Sequence, residues 1–220
     1  MPQFTTSAPI TAVLDVPAGR VRVVAGDRTD TVVAVAPADR AKSRDVQAAE
    51  QTTVGYADGV LRIVTAVKNQ YLGSTGAVEV TIELPAGSRV EARTAAAELH
   101  TSGRLGDVVF DGAYREIRID EAASLRLTAT DGDVEVGRLD GPADISTARG
   151  AIRIAEAVRG TVVLATQAGD ISISAAAGVS ATLDAGTTLG RVTNTLKNNG
   201  TIDLDIRATT SMGDITARSL

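Results

Sequence analysis

The chain has 220 residues, a net charge of −5, a single histidine and no cysteine. These numbers exclude disulfides, thiolate metal sites, a cysteine nucleophile and a metal site built on several histidines. The acidic balance, with both signs mixed along the chain, disfavours nucleic acid or an anionic membrane surface as a partner. Aromatic residues make up only 2% of the chain and glycines number 21, a composition typical of thin, closely stacked strands.

The first 87 residues predict a β-rich segment, because short alternating apolar runs end at turns made of Gly, Pro and Asp. In the clearest run, 78–84, Val, Ile and Leu alternate with Glu and Thr. Residues 41–51 lack the strand period and predict a short helix, and residues 68–76 predict a loop. We expect this segment to act as a cap that is continuous with the repeats that follow.

From residue 88 onward the sequence repeats with a period of about 18 residues. One apolar position recurs at Leu99, Ile117, Val134, Ile152, Ile171, Val192 and Ile215. A second apolar position precedes each of these, at Ala92, Phe110, Leu127, Ile145, Leu164, Leu183 and Ile206. A turn glycine lies two residues before the first position in five of the units, at Gly132, Gly150, Gly169, Gly190 and Gly213. Each unit therefore predicts a short strand, a tight turn, a second strand and a looser return.

The repeat predicts an all-β protein, because no single unit has enough apolar area to fold alone and stacked units bury a continuous seam. The expected architecture is a single-stranded parallel β-helix, or β-solenoid, of about seven rungs over 88–220, preceded by the β-rich segment 1–87. The sequence leaves open whether the coil has two or three sides. A β-sandwich of hairpins also has short strands and regular turns, but the near-constant unit length and the in-phase glycines favour the solenoid.

Two runs show the repeat most clearly, Leu-Thr-Ala-Thr-Asp-Gly-Asp-Val-Glu-Val at 127–136 and Ala-Thr-Gln-Ala-Gly-Asp-Ile-Ser-Ile at 165–173. Earlier come Ala-Gly-x-Val-x-Val, then Ala-Asp-Gly-x-Leu-x-Ile, then Leu-Pro-Ala-Gly-Ser. In this order the chain resembles, over nearly its whole length, a bacterial β-strand-repeat family of putative adhesins, a domain of unknown function. The resemblance implies a parallel β-helix-like fold and no catalytic residues. Tyr114-Arg115-Glu116 and Gly190-Arg191 depart from the pattern.

Three aspartates, Asp133, Asp170 and Asp214, share one position of the repeat. Aspartates on successive turns form cation sites in calcium-binding β-rolls, where several oxygens converge on one ion. Here the intervening repeats carry Ala and Arg at that position, and the unit is not nine residues long. We therefore expect these side chains to accept hydrogen bonds at the turns, and we expect no metal and no cofactor.

No arrangement of residues predicts an active site. Glycoside cleavage needs paired carboxylates and is usually helped by aromatic platforms, but the pairs Asp120-Glu121 and Asp203/Asp205 read as solvated faces and Phe110 reads as core. His100 alternates with a core anchor, which places it on the surface without the partners of a catalytic triad. No phosphate-binding glycine loop is present. We expect the protein not to be an enzyme.

The expected function is a non-enzymatic β-solenoid scaffold or protein-interaction module, with self-association as one mode. The alternatives are an adhesin-like module for a glycan or cell-envelope component and a degenerate β-helix enzyme. Because no polar cap follows Ile215, the last rung is predicted to pair end to end with another copy or a partner, unless Arg207, Arg218 and the return 195–200 blunt that edge. The start carries no signal-peptide pattern and no apolar run could cross a bilayer, which predicts a cytoplasmic protein.

Overall fold

The computed structural model describes residues 1–66, 76–112 and 116–220, and nearly all of its regular structure is β-strand. The predicted all-β class is therefore confirmed. The chain forms two compact units, Met1–Tyr114 and Arg115–Leu220, whereas the sequence placed the change of organisation at residue 87. The loop predicted at 68–76, apart from Gly76, and the departure at Tyr114-Arg115 lie outside the described residues.

The first unit is built on a mixed sheet. Its elements are β1 (Gln3–Thr5), β2 (Thr11–Asp15), β3 (Ala18–Gly26), β4 (Asp30–Pro37), α1 (Ser43–Glu50), β5 (Thr52–Ala57), β6 (Val60–Thr65), β7 (Val78–Pro85), β8 (Arg89–Arg93), β9 (Ala96–Ser102) and β10 (Arg104–Asp111). β2 runs parallel between β6 and β8, and β3 runs parallel between β7 and β9. The pairs β1–β4, β4–β7 and β5–β6 are antiparallel. Because these antiparallel pairs are present, a parallel β-helix of seven rungs is not confirmed.

Local chemistry explains two features of this unit, the β5–β6 hairpin and the position of helix α1. Asp58 and Gly59 join β5 to β6 with φ angles of 51° and 76°, the left-handed pair that a two-residue hairpin turn requires. Helix α1, predicted within 41–51, lies against β4 and β7. The buried Asp45 of α1 accepts a 3.0 Å hydrogen bond from the Ala77 amide, which ties the helix to the start of β7.

The second unit stacks its strands in parallel, with an order that differs from chain order. Its strands are β11 (Ile117–Asp131), β12 (Val134–Leu139), β13 (Ala143–Arg149), β14 (Ile152–Ala157), β15 (Gly160–Ala168), β16 (Ile171–Ala175), β17 (Ala181–Leu189), β18 (Val192–Thr195), β19 (Leu204–Met212) and β20 (Ile215–Ser219). β19 lies between β15 and β17, and β20 lies between β16 and β18. The last repeat of the chain is thus inserted inside the stack, and the β17–β18 repeat is outermost.

The core of the second unit consists of apolar columns that run across the repeats. The predicted second-strand position is in register through Ile117, Val134, Ile152, Ile171, Ile215 and Val192, in that spatial order. The residues predicted for the first-strand position are wrong in the last two repeats, because Leu164 lies beside Ala208 and not beside Ile206. Ile206 and Leu183 belong to the neighbouring column, which begins at Leu125. The first-strand column changes to the small side chains of Ala208 and Ala185 where the neighbouring column changes to the larger Ile206 and Leu183. The total side-chain volume of the core is thereby conserved.

Candidate functional site

Five turn glycines of the second unit lie over one another where the two strands of each repeat join. They are the predicted turn glycines, in the spatial order Gly132, Gly150, Gly169, Gly213 and Gly190. Gly150 has a φ of +131°, and a Cβ built on it would lie 2.1 Å from the Gly132 carbonyl oxygen. A Cβ on Gly169 would lie 2.0 Å from the Gly150 oxygen. The corner is therefore a column of close backbone contacts that leaves no room for a ligand-binding side chain.

A column of threonines runs beside the glycines, three residues before the turn glycine in four of the five repeats. Thr166 donates a 3.1 Å hydrogen bond to the Gly150 carbonyl, and Thr210 donates a 3.0 Å bond to the Gly169 carbonyl. Both threonines are buried. These hydroxyls satisfy corner carbonyls that the strand ladder leaves over, so the column stabilises the stack and is not a row of catalytic nucleophiles.

The aspartates predicted to act at the turns accept hydrogen bonds from the next repeat in the stack. Asp133 Oδ1 accepts from the Ala151 amide, Asp170 Oδ1 accepts from the Asp214 amide, and each distance is 2.8 Å. Asp214 Oδ1 accepts from the Arg191 amide at the same distance. Over the described ranges, no group of three or more His, Cys, Asp or Glu side chains is placed to hold a metal ion.

Two of the carboxylates considered for catalysis, Asp203 and Asp205, hold the outer repeats together. Asp203 accepts a 3.2 Å hydrogen bond from the Ser180 amide, and Asp205 accepts one of 3.3 Å from the Thr182 hydroxyl. Both bonds link the outermost repeat to its neighbour. Glu121 lies beside Arg138 on a strand face where charges alternate from repeat to repeat, the arrangement expected of solvated side chains.

The two remaining candidates, Phe110 and His100, lie in the first unit. The structure also shows an aromatic pair that the sequence analysis missed. Phe110 is 1% exposed and belongs to the core. His100 is half-buried in β9 beside Arg22 of β3, so it is less exposed than the alternation predicted. The rings of Phe4 and Tyr56 lie 5.4 Å apart between centroids. The sequence did not predict this contact, because the two residues are 52 positions apart along the chain.

The open edge of the second unit, defined here as β17 and β18, is the surface that stands out. Within the described part of the chain, β17 pairs only with β19 and β18 pairs only with β20. The sequence predicted an unpaired edge on the last rung of the chain. That prediction is wrong, because Ile215 and the rest of β20 have neighbours on both sides. The free edge belongs to the repeat before it.

The backbone of β17 turns hydrogen-bonding groups outward. The Leu204 amide donates to the Ser180 carbonyl at 3.2 Å. In a parallel ladder alternate residues turn their N–H and C=O groups toward the same neighbour, so Leu183 and Ala185 direct theirs away from β19. The Ala181 amide also faces outward, and the carbonyl of Lys197 accepts its hydrogen bond at 3.0 Å. The predicted blunting by the return loop thus applies only to the beginning of β17.

The backbone of β18 also directs hydrogen-bonding groups away from its neighbouring strand. The Ile215 amide donates a 2.9 Å hydrogen bond to the Arg191 carbonyl, which leaves the N–H and C=O groups of Val192 and Asn194 facing away from β20. Every residue of β18 is exposed. An edge of this kind is a template for another strand.

Exposed large apolar side chains are concentrated toward the end of the sequence, and two of them, Leu189 and Val192, belong to the open edge. Seven large apolar residues of the described chain are exposed, and five of them lie within 189–220: Leu189, Val192, Ile202, Met212 and Leu220. One column shows the change directly, because Asp131 and Arg149 in the inner repeats are followed by Ala168, Met212 and Leu189 in the outer ones. Adjacent exposed apolar side chains, as at Met212 and Leu189, mark interaction sites.

The chain matches the family model of Toastrack DUF4097 over residues 13–219. This chain belongs to the Toastrack DUF4097 family. The resemblance to bacterial putative adhesins seen in the sequence is confirmed with it. No curated protein matches this Toastrack domain.

Solved structures align with the Toastrack domain over almost its full length. A putative adhesin from Bacteroides fragilis NCTC 9343 is 14% identical, with a TM-score of 0.57 over 98% of this chain and 95% of its own. A putative adhesin from Parabacteroides distasonis ATCC 8503 is 14% identical, with a TM-score of 0.47 over 98% and 95%. A putative cell adhesion protein from Clostridium sporogenes ATCC 15579 is 11% identical, with a TM-score of 0.44 over 100% and 98%. At these identities the first alignment shows a shared fold alone.

One further finding concerns membranes. In the residues described for this Toastrack domain, no helix has both the length and the apolar character needed to cross a bilayer.

Proposed function

We propose that this Toastrack domain is a non-enzymatic β-solenoid scaffold that binds another protein chain through the open edge. The observation that carries the proposal is the outward-facing backbone of Leu183, Ala185, Val192 and Asn194 beside exposed apolar side chains. Strand addition uses these two elements, since main-chain hydrogen bonds supply affinity and alternate side chains supply specificity.

The polar residues of the second unit support a scaffold rather than an enzyme. Asp133, Asp170 and Asp214 each accept a backbone amide of a neighbouring repeat, and the buried threonine hydroxyls donate to backbone carbonyls. Side chains committed to backbone groups are poor candidates for proton transfer to a substrate. The chemistry of the stack is therefore directed at holding its strands in register.

A fluorescent peptide with the sequence of β19, Leu204–Met212, tests whether the open edge accepts a strand. The probe is titrated into the full chain and followed by anisotropy. We expect saturable binding to the wild type and to Ala185→Ser, which keeps the amide. We expect loss of binding in Ala185→Pro, because proline removes an outward N–H while sparing the bonds to β19. A scrambled peptide that binds equally well, or no binding of the β19 peptide to the monomeric chain, contradicts strand addition.

A second candidate is an adhesin-like module that binds a glycan or a cell-envelope component. Two observations favour it: the fold shared with the putative adhesin from Bacteroides fragilis and the half-buried Phe4–Tyr56 ring pair, which offers an aromatic surface. Co-sedimentation with purified peptidoglycan tests this candidate. We expect binding that Tyr56→Ala reduces and Ala185→Pro leaves unchanged. Retention of binding by Tyr56→Ala contradicts the role of the ring pair.

A further inference from the structure

We propose that the occupant of the open edge is a second copy of this chain, docked so that the two β17 strands pair antiparallel about a two-fold axis. This inference rests on the proposed function and names its partner. The open edge has no strand on its outer side to pair with, and a second copy supplies one, β17, together with the exposed Leu189 and Val192. In a two-fold interface one patch must complement itself, and the features of β17 meet that requirement.

The apolar columns give the first argument. Leu183 and Ala185 continue core columns but are only half-buried, because no repeat lies beyond them. Leu189, the last residue of β17, is 65% exposed, and Val192 of β18 is 42% exposed. A lone extended peptide covers one strand, whereas a second copy brings the end of an equivalent stack with side chains of matching size. Burial of this surface is the main favourable term for association.

Charge gives the second argument. The chain as a whole carries −5, yet residues 181–196 contain one acidic and one basic residue, Asp184 and Arg191, and are neutral in sum. Two copies can therefore bring this segment together without net repulsion, whereas the acidic parts of the chain would repel each other. Edge strands that avoid pairing usually carry charged side chains, above all lysine, or prolines. β17 contains no lysine and no proline, and Asp184 is its single charge.

Register gives the third argument. A two-fold axis at Ala185 places this residue opposite its own counterpart, with their outward N–H and C=O groups exchanging hydrogen bonds. Leu183 then lies opposite Thr187, and Asp184 lies opposite Gly186. Like charges do not face each other directly, as they would if two aspartates were paired. A Cβ built on Gly186 meets no atom within 4 Å, so this position accepts a side chain that reports on the register.

The experiment measures the mass of the full chain by sedimentation and light scattering from about 1 µM to about 500 µM. We expect the wild type to pass from the 22.5 kDa of one chain to twice that mass. Ala185→Pro is expected to stay monomeric and Ala185→Ser to dimerise. Gly186→Lys, placed opposite Asp184 of the other copy, is expected to tighten the dimer by about five-fold, and Gly186→Glu to weaken it by about the same factor.

The outcomes distinguish failure of the dimer proposal from failure of the proposed function. A wild type that stays monomeric, growth beyond two chains, or Gly186→Lys and Gly186→Glu variants that dimerise equally overturns the two-fold pairing. If the β19 peptide binds a monomeric wild type, the second copy is wrong and strand addition stands. If neither the peptide nor a second copy binds, both are wrong. Should Ala185→Pro fail to fold by circular dichroism, the comparison of Gly186→Lys with Gly186→Glu still decides the register.

Discussion

The hydroxyl of Thr166 donates a 3.1 Å hydrogen bond to the carbonyl of Gly150, a residue of the neighbouring repeat. The bond links the two columns that define the corner of the second unit, one of threonines and one of glycines. The glycines bring the backbones close together, and the threonines satisfy the carbonyls exposed by that approach. Both columns therefore act through repeat-to-repeat contacts, and single substitutions separate their contributions.

Replacing Thr166 by valine is expected to lower the free energy of unfolding by about 1–2 kcal/mol, because the shape is kept and a buried hydrogen bond is lost. Urea unfolding followed by circular dichroism measures the change. Thr161→Val on the same strand β15 is the control: Thr161 is exposed, and the expected change is within about 0.5 kcal/mol. Equal effects of the two substitutions would show that the hydroxyl column contributes nothing.

Replacing Gly150 by alanine is expected to cost at least about 2 kcal/mol, since a left-handed φ and an overpacked contact each cost about 1–3 kcal/mol. The physical cause is the Cβ position 2.1 Å from the Gly132 oxygen. Gly186→Ala is the matched control, because its φ is not left-handed and its Cβ meets open space. That control is expected to leave stability unchanged or raise it by up to about 1 kcal/mol. A tolerant Gly150 would contradict the close-contact column.

The columns could be predicted from the sequence because their signal is local. Val134, Ile152 and Ile171 recur with a near-constant spacing, and side-chain alternation fixes which face of a strand they occupy. The glycine corners follow for the same reason. The threonine column was equally readable and was missed: a threonine stands three residues before the turn glycine in four of the five repeats, as Thr166 stands before Gly169.

The order of the repeats could not be predicted in the same way. Periodicity states which residues are equivalent, and it carries no information on which repeat becomes the neighbour of which. β19 and β20 insert beside β15 and β16, and this leaves β17 and β18 outermost. The open edge was therefore assigned to the wrong repeat. The antiparallel strands of the first unit were missed because alternation is the same in either direction.

Asp170 is expected to stabilise the stack as a hydrogen-bond acceptor and not as a cation ligand. Asp170→Ala removes the acceptor of the 2.8 Å bond from the Asp214 amide and is expected to cost about 1–2 kcal/mol. Asp170→Asn keeps an acceptor oxygen and is expected to cost less. Asp144→Ala, at an exposed position of β13, serves as the control, with an expected change within about 0.5 kcal/mol.

Added calcium distinguishes the two roles of this aspartate column. A ligand that binds only the folded state raises its stability by mass action, so a calcium site would raise the Tm of the wild type and not that of Asp170→Ala. We expect calcium to leave both values unchanged. A calcium-dependent rise in the Tm of the wild type alone would contradict the acceptor role.

A carboxylate of the first unit gives a pH-dependent test of the contacts at the start of β4. Arg28 donates a 2.8 Å hydrogen bond to Asp30 at the start of β4 and holds the pKa of that carboxyl below its usual value, and Gln3 of β1 adds a 2.9 Å bond in the same direction. A lowered pKa means that the stabilising contribution is present above the unfolded value of about 3.9. The contribution is lost as the pH falls through the lower pKa of the folded state.

Arg28→Gln is therefore expected to raise the pKa of Asp30, measured by NMR titration of its carboxyl carbon. Gln3→Ala is expected to raise it less, because a neutral amide favours the ionised carboxylate less than a guanidinium does. The difference in unfolding free energy between the wild type and Arg28→Gln is expected to be largest above about pH 4 and to shrink as the solution becomes more acidic. An Asp30 titration that is the same in the wild type and in Arg28→Gln would show that the ion pair does not form in solution.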